Sequence, residues 1–467
     1  MADLRPRVTT KRNILSSLQA PAGARNAAMI CSAQWGPINE VTNISSLSQF
    51  IDSFGSDNDN DDLTGIKGAD LFFANGGTLK VVRVDDGTAS EASLVLQSDG
   101  TDVITLTAKY KGTAGNDISI EISENGTNRN IELKLNNTTE IFTNVGDGYS
   151  TNEAIVNAIN ENSNLVTATV ETGEETQNLV DAITATYLET GSDGTTSLES
   201  SDYSDVITNQ LLLEEYDYLL IPGVTDNSAQ NIFVGNLNAR AVSEQKYSRY
   251  ITGGAVDETI ASLKARTLTG LRATLVAPNV KYTNRVTNNN EVLDGSYLAC
   301  VHAGLLCRLD LEISATHETP ALEGLSVNVS TGKEFYTKAE QSELLSSRIT
   351  PYALVGRSLQ CIRAVTRHAS TTDPRFEQVI VDIVDYVQVQ LETYLNSVIG
   401  KPNTQDNRNV YAARMDALLQ TIQDEGIIQS FDESIVNQGA SPDTINAQVA
   451  ILPAYSTNFV NLTINIQ

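Results

Sequence analysis

Ala28–Gly55 reads AMICSAQWGPINEVTNISSLSQFIDSFG, and Leu71–Val84 reads LFFANGGTLKVVRV. These two stretches decide the fold class. The first opens on a short apolar run. Ser45 or Ser46 then stands where a hydroxyl can cap a helix over Leu47–Phe54, because serine accepts from the orphan amides of a first turn. Gly55 follows, a common residue just past a helix end. In the second stretch, Asn75-Gly76-Gly77 is a tight turn into a strand over Thr78–Val84, since glycine and asparagine tolerate the backbone that turns require. The pattern predicts one β-α-α-β half of an α/β domain.

Working outward, the acidic stretch Asp85–Asp205 has a different texture. It holds 22 acidic and 4 basic residues, most of the chain's net charge of −27. Short β-prone runs at Ser93–Leu96, Val103–Ala108, Ile118–Ile122, Ile131–Leu135 and Thr167–Val170 are separated by turn clusters, with a helix expected over Thr151–Asn160. Beyond it, helices are expected over Asp205–Glu215, Ser228–Gln245 and Glu258–Thr269. Each precedes a strand, over Tyr216–Ile221, Tyr247–Thr252 and Arg272–Ala277. Repeated helix–strand units imply a parallel or mixed sheet. Glu291–Leu311 is apolar all round and reads as a buried helix.

The last third is α+β. Phe376 to Val398 repeats apolar residues at three-and-four spacing, and Tyr411 to Ile422 does so again before Gly426. Two alternating strands close the chain, one through Ile445–Ile451 and one through Val460, Leu462, Ile464 and Ile466. The fold class is therefore α+β with an α/β middle region. The expected units are an arm over 1–25, a discontinuous core over 26–84 and 206–345, an inserted β-rich unit over 85–205, an α+β region over 346–453, and a terminal arm strand over 454–467.

An acidic surface of this size repels phosphate and argues against a nucleic-acid partner. No run reaches the length of apolar residues that a membrane span needs, so no membrane insertion is expected. Met1–Asn13 lacks the apolar core of a secretion signal, and Cys31, Cys300, Cys307 and Cys361 share no short spacing. Folding in a cytoplasm with reduced thiols is expected.

Chemistry-bearing motifs are missing. His302, His317 and His368 form no ligand pair, and His302 reads as a hydrogen-bonded core histidine. Gly332–Lys333 lacks the upstream glycine of a phosphate loop. Gly253–Gly254 has no third glycine and reads as a turn. Asp57–Asp62 lacks the glycine and terminal glutamate of a calcium loop. No catalytic, cofactor or metal residues are assigned.

The two opening stretches resemble contractile tail sheath proteins in order and spacing: a short strand, Gly-Pro-x-Asn, an Ile-x-Ser helix start, then Phe-Phe-x-Asn-Gly-Gly before Val-Val-Arg-Val. The strand around Leu359–Val365 and the two helices after it are similar to that family's C-terminal domain. The family's Gly-Val-Tyr-x-x-Glu arm motif is absent. The resemblance implies a structural subunit that forms hexameric rings or helical strands around a tail tube, meets baseplate and tail terminator proteins, and contracts without a cofactor. The implied place is a virion tail assembled in a host cytoplasm. It implies inter-subunit roles for Arg5, Arg7, Lys11 and Arg12 on the basic arm, and for Val460, Leu462, Ile464 and Ile466 on the terminal strand. Arg348, Arg357, Arg363 and Arg367, in a stretch free of acids, are expected to include tube-facing residues. A non-contractile scaffold protein and an α/β enzyme are the alternatives.

Overall fold

The computed structural model describes residues 25–458 apart from 57–59, 61, 127, 137, 144–150 and 285–287. Its centre is an eight-stranded sheet. In spatial order the strands are Ser358–Cys361, Thr350–Val355, Ala273–Ala277, Arg249–Gly253, Tyr218–Leu220, Ala27–Cys31, Leu79–Arg83 and Val41–Ile44. The inner pairs are all parallel, and the two edge strands run antiparallel. The opening run AAMIC is buried on both sides. Ala27, Met29 and Cys31 face one hydrophobic core, while Ala28 and Ile30 face the other. A period of two in a strand covered on both faces produces this division.

The expected β-α-α-β half is present. Ser46 accepts from Gln49 N and caps the helix Leu47–Phe54, and Gly55 follows at φ 93°. Leu79–Arg83 pairs in parallel with Ala27–Cys31. The added edge strand Val41–Ile44 is too short to show a sequence period. The three later helix–strand units also form, with shorter elements. The first helix is shifted, occupying Ser200–Thr208, where Glu199 and Asp202 make a reciprocal cap. The buried helix is Gly295–Arg308, because Asn290–Leu293 leaves it to pair with Asn279–Thr283.

Thr350–Val355 and Ser358–Cys361, expected with the C-terminal region, instead complete the main sheet through Val276↔Thr350. The remaining C-terminal residues have their own core, built on Gln378–Asn396 and Gln405–Asp424. Two separate two-stranded ribbons finish it: Ile428–Phe431 with Ile451–Pro453, and Ile435–Gln438 with Ile445–Gln448. The single strand expected over Ile445–Ile451 is thus broken in two.

The acidic unit forms three- and four-stranded antiparallel sheets around a third core that also takes in Trp35, edge-on to Tyr110. Arg83, fully buried, holds this unit against the core by donating to the carbonyls of Gly36 (3.1 Å) and Lys111 (2.6 Å). Asn160 closes one sheet edge: its amide exchanges two hydrogen bonds with the backbone of Ala168. No helix among the described residues is long and apolar enough to cross a membrane.

Candidate assembly surfaces

Open parallel sheets bind ligands beyond the carboxyl ends of their strands, where strand order reverses. Here that point lies between Ala27–Cys31 and Tyr218–Leu220, and protein fills it. Ser32 Oγ accepts from Thr64 N at 3.0 Å, and Ser296 Oγ accepts from Gly223 N at 2.7 Å. Gly253 exists for packing: a Cβ there would sit 2.0 Å from the backbone of Gly295. His302 is buried between Tyr352 Oη (2.7 Å) and Gln378 Oε1 (2.9 Å), and burial pushes its pKa down to about 4. Burial raises the Cys31 thiol to about 12, away from the thiolate needed for reaction. Among the described residues no group of three or more His, Cys, Asp and Glu could hold a metal ion.

The polar chemistry lies instead at the opposite end of the strands, against the long C-terminal helix. Gln378, Asp382, Asp385, Gln388 and Glu392 recur at three-and-four spacing and form one face of Gln378–Asn396. Asp382 lies 2.8 Å from Arg249 Nη1 and accepts from Tyr218 Oη at 3.0 Å. Arg272 Nη2 donates to Asp385 at 2.9 Å, and Tyr247 Oη donates to Glu392 at 2.7 Å. Arg25 Nη2 donates to the carbonyls of Leu309 (2.6 Å) and Asp310 (3.1 Å). Asp217 accepts from Asn26 N at 2.9 Å; burial outweighs that bond and the nearby arginines and raises its pKa to about 6. Ion pairs and hydrogen bonds therefore join the C-terminal helices to the main sheet, and among the described residues Leu311 is the only one of the C-terminal core that precedes the sheet's last strands. A cleft of about 500 Å³ opens along this seam.

The sequence-predicted residues fall out as follows. Arg5, Arg7, Lys11, Arg12, Val460, Leu462, Ile464 and Ile466 lie outside the described residues. The four arginines do not share an environment. Arg367 is 1% exposed and donates to the carbonyls of Leu268, Ser347 and Arg266, so it cannot present a charge to a tube. Arg363 Nε donates to Glu377 at 2.8 Å with its guanidinium over the Phe376 ring, a half-buried structural pair. Glu377 also accepts from Asn458 Nδ2 at 3.2 Å, tying the last described residue to the C-terminal region. Arg348 is half-buried, and Arg357 is exposed at the hairpin turn after Val355. Sequence reasoning missed the seam, although the period of polar residues on the long helix was visible.

Residues 371–467 match the family model of the phage tail sheath C-terminal domain. The fold of nearly the whole chain is similar to a sheath tail protein from Listeria innocua, with a TM-score of 0.71, 16% identity and 94% of each chain covered. One from Desulfitobacterium hafniense gives a TM-score of 0.68 at 14% identity, covering 96% of this chain and all of that one. The chain has the tail sheath fold. A further match is the helical sheath of the anti-feeding prophage in its contracted state, with a TM-score of 0.54 and 14% identity over both full chains. No curated protein matches. The likeness to tail sheath proteins carried by residues 28–55 and 71–84 thus extends to the fold of the chain.

Proposed function

We propose that this chain is a tail sheath subunit, which polymerises around a rigid tail tube and contracts to drive the tube through a target cell envelope. The observation that carries the reading is the match of residues 371–467 to a sheath domain whose strands, among the described residues, stand in two two-stranded ribbons. Two-stranded ribbons are marginal alone, and their free edges satisfy their backbone groups by adding strands. Val460, Leu462, Ile464 and Ile466 would supply such a strand to an adjacent copy. Arg5, Arg7, Lys11 and Arg12 would dock on a neighbour's acidic surface.

Partners in this reading are further copies in rings or helical strands, a tail tube protein, and baseplate and terminator proteins, in a virion tail assembled in the host cytoplasm. Arg348 and Arg357 remain the tube-facing candidates, and such contacts would weaken with salt. Two packings of one subunit, the compact one lower in free energy, suffice for contraction. Electron microscopy of the purified protein tests the reading. Striated hollow cylinders are expected; a monodisperse monomer at every concentration and salt would overturn it.

A further inference from the structure

The four-stranded sheet of the acidic unit is open at both ends. Its order is Ile183–Tyr187, Ser119–Asn125, Asn128–Leu135, Thr138–Phe142, with every pair antiparallel, and among the described residues neither outer strand has a second neighbour. The adjoining three-stranded sheet is closed instead. Asn160 bonds both backbone groups of Ala168 on one edge; on the other, Ser93 exchanges backbone bonds with Glu189, and Gln97 O accepts from Asp181 N. A free strand edge is a template for pairing, which folds usually block with charge, proline or a covering segment. The stretch Ala182–Leu188, AITATYL, has no charge, proline or glycine, and Thr184, Ala185, Thr186 and Tyr187 are all exposed. The break in register between Ile183 and Thr186 leaves Thr186 and Tyr187 in step with Ile120 and Ser119.

The two edges fit each other. Strand direction alternates across the sheet, so Thr138–Phe142 of one copy runs antiparallel to Ile183–Tyr187 of a copy placed beside it in the same orientation. Tyr187 stands opposite Ser119 and Ile141 opposite Glu132, both on the face away from the core that holds Ile120, Ile122, Ile131 and Leu133. At 57% and 62%, Tyr187 and Ile141 are the most exposed large apolar side chains described in the unit. Joining the edges would put an aromatic and a β-branched residue on one continuous face, a favourable cross-strand combination.

Charge selects the occupant. The unit holds 22 acidic and 4 basic residues, so a basic partner is drawn to its acids, while two copies can meet only where the acids are missing. The edges are such places. Glu140, the one acid on Thr138–Phe142, is turned onto Ser163 Oγ (2.6 Å) and Asn164 N (2.8 Å) of its own unit. We propose that the acidic units of adjacent copies join edge to edge, Thr138–Phe142 of one to Ile183–Tyr187 of the next, in a head-to-tail contact that repeats into rings or helical strands. This inference rests on the assembly proposed above and gives the acidic unit a part in it. One short strand pair buries far less than the roughly 1,200 Å² of a stable interface, so the contact forms between copies already held side by side.

The test uses the full chain carrying Thr139→Cys and Ala185→Cys, both exposed positions, and a bismaleimide of about 8 Å reach, the span of direct and diagonal cross-strand neighbours. The parent protein, whose four cysteines are buried or half-buried, is the control. Assembled protein should give a ladder of covalent oligomers, and an equal mixture of the two single variants should give dimers only. Yield should fall roughly five- to tenfold when Ile141→Asp and Tyr187→Asp are added, because like charges then face each other across the pair. Yield should rise as salt goes from about 50 to about 500 mM, since screening relieves the repulsion between acidic units. Cylinders without a ladder, or dimers from Thr139→Cys alone, would overturn the edge pairing and leave the assembly reading intact. A ladder in a protein that never forms cylinders would sustain the pairing and overturn the assembly reading. Neither ladder nor cylinders would overturn both.

Discussion

Replacing Asp382 by alanine should loosen the C-terminal helices from the main sheet. The carboxylate lies 2.8 Å from Arg249 Nη1 and 3.7 Å from Arg25 Nη1, and those arginines are 1% and 6% exposed. Removing it takes from Arg249 its ion-pair partner and from Tyr218 Oη its acceptor. Breaking one partner of a buried pair costs about 3–5 kcal/mol. Arg25 keeps its carbonyl partners and Asp217 stays near, so the lower end, about 3 kcal/mol, applies here. That energy corresponds to roughly a hundredfold loss of protection. Hydrogen exchange over Gln378–Asn396 reads it directly, separately from the other cores. Arg249→Met should cost a similar amount. The double variant should be milder than the sum of the singles by about 2 kcal/mol, because the stranded charge is gone. Protection in Asp382→Ala within about threefold of the parent, or additive single variants, would refute the claim that the seam holds the two parts together.

Arg83→Met should destabilise the attachment of the acidic unit by about 3 kcal/mol, since two carbonyls lose a buried donor and Asp193 loses the charge 3.8 Å away; limited proteolysis should then release that unit first. Gly253→Ala should cost at least about 1–3 kcal/mol, because the new methyl meets the backbone of Gly295 rather than a movable side chain; urea denaturation of the main-sheet core checks this. Asp217 and His302 should act oppositely with pH. The raised pKa of Asp217, about 6, makes the folded state bind its proton first, so stability from this group rises as pH falls from about 6 towards 4, and Asp217→Asn should remove that rise. The lowered pKa of His302, about 4, makes the unfolded state bind its proton first, so stability from this group is lost as pH falls from about 6.5 to 4, and His302→Gln should remove that loss. Melting temperatures of the two variants across pH 4–7 separate the contributions.

Local chemistry made much of the fold legible. Ser46, Gly55 and the Asn75-Gly76-Gly77 turn each act over a few residues, so the opening β-α-α-β half could be read directly. The fully apolar Ala27–Cys31 and the all-round burial of Gly295–Arg308 follow from composition alone. The alternating strands and helices of residues 216–277 fixed a parallel layer without revealing its order. Helix ends were less legible. Whether Asn290–Leu293 continues a helix or pairs with Asn279–Thr283 depends on a strand that meets it only in the folded chain.

The four arginines near the C-terminal region show where sequence stops. Identical side chains in one acid-free stretch invited a single role, but Arg367 is buried under three carbonyls and Arg363 is paired with Glu377, while Arg357 stands in solvent. A charge takes its meaning from what lies opposite it, and partners such as Leu268 and Arg266, about a hundred residues away, come into place only through tertiary packing. The seam has the same origin. The period of Gln378, Asp382, Asp385, Gln388 and Glu392 was set by the sequence, but their meeting with Arg249, Arg272 and Tyr247 was decided by the register of parallel strands whose amino ends align at one edge of the sheet.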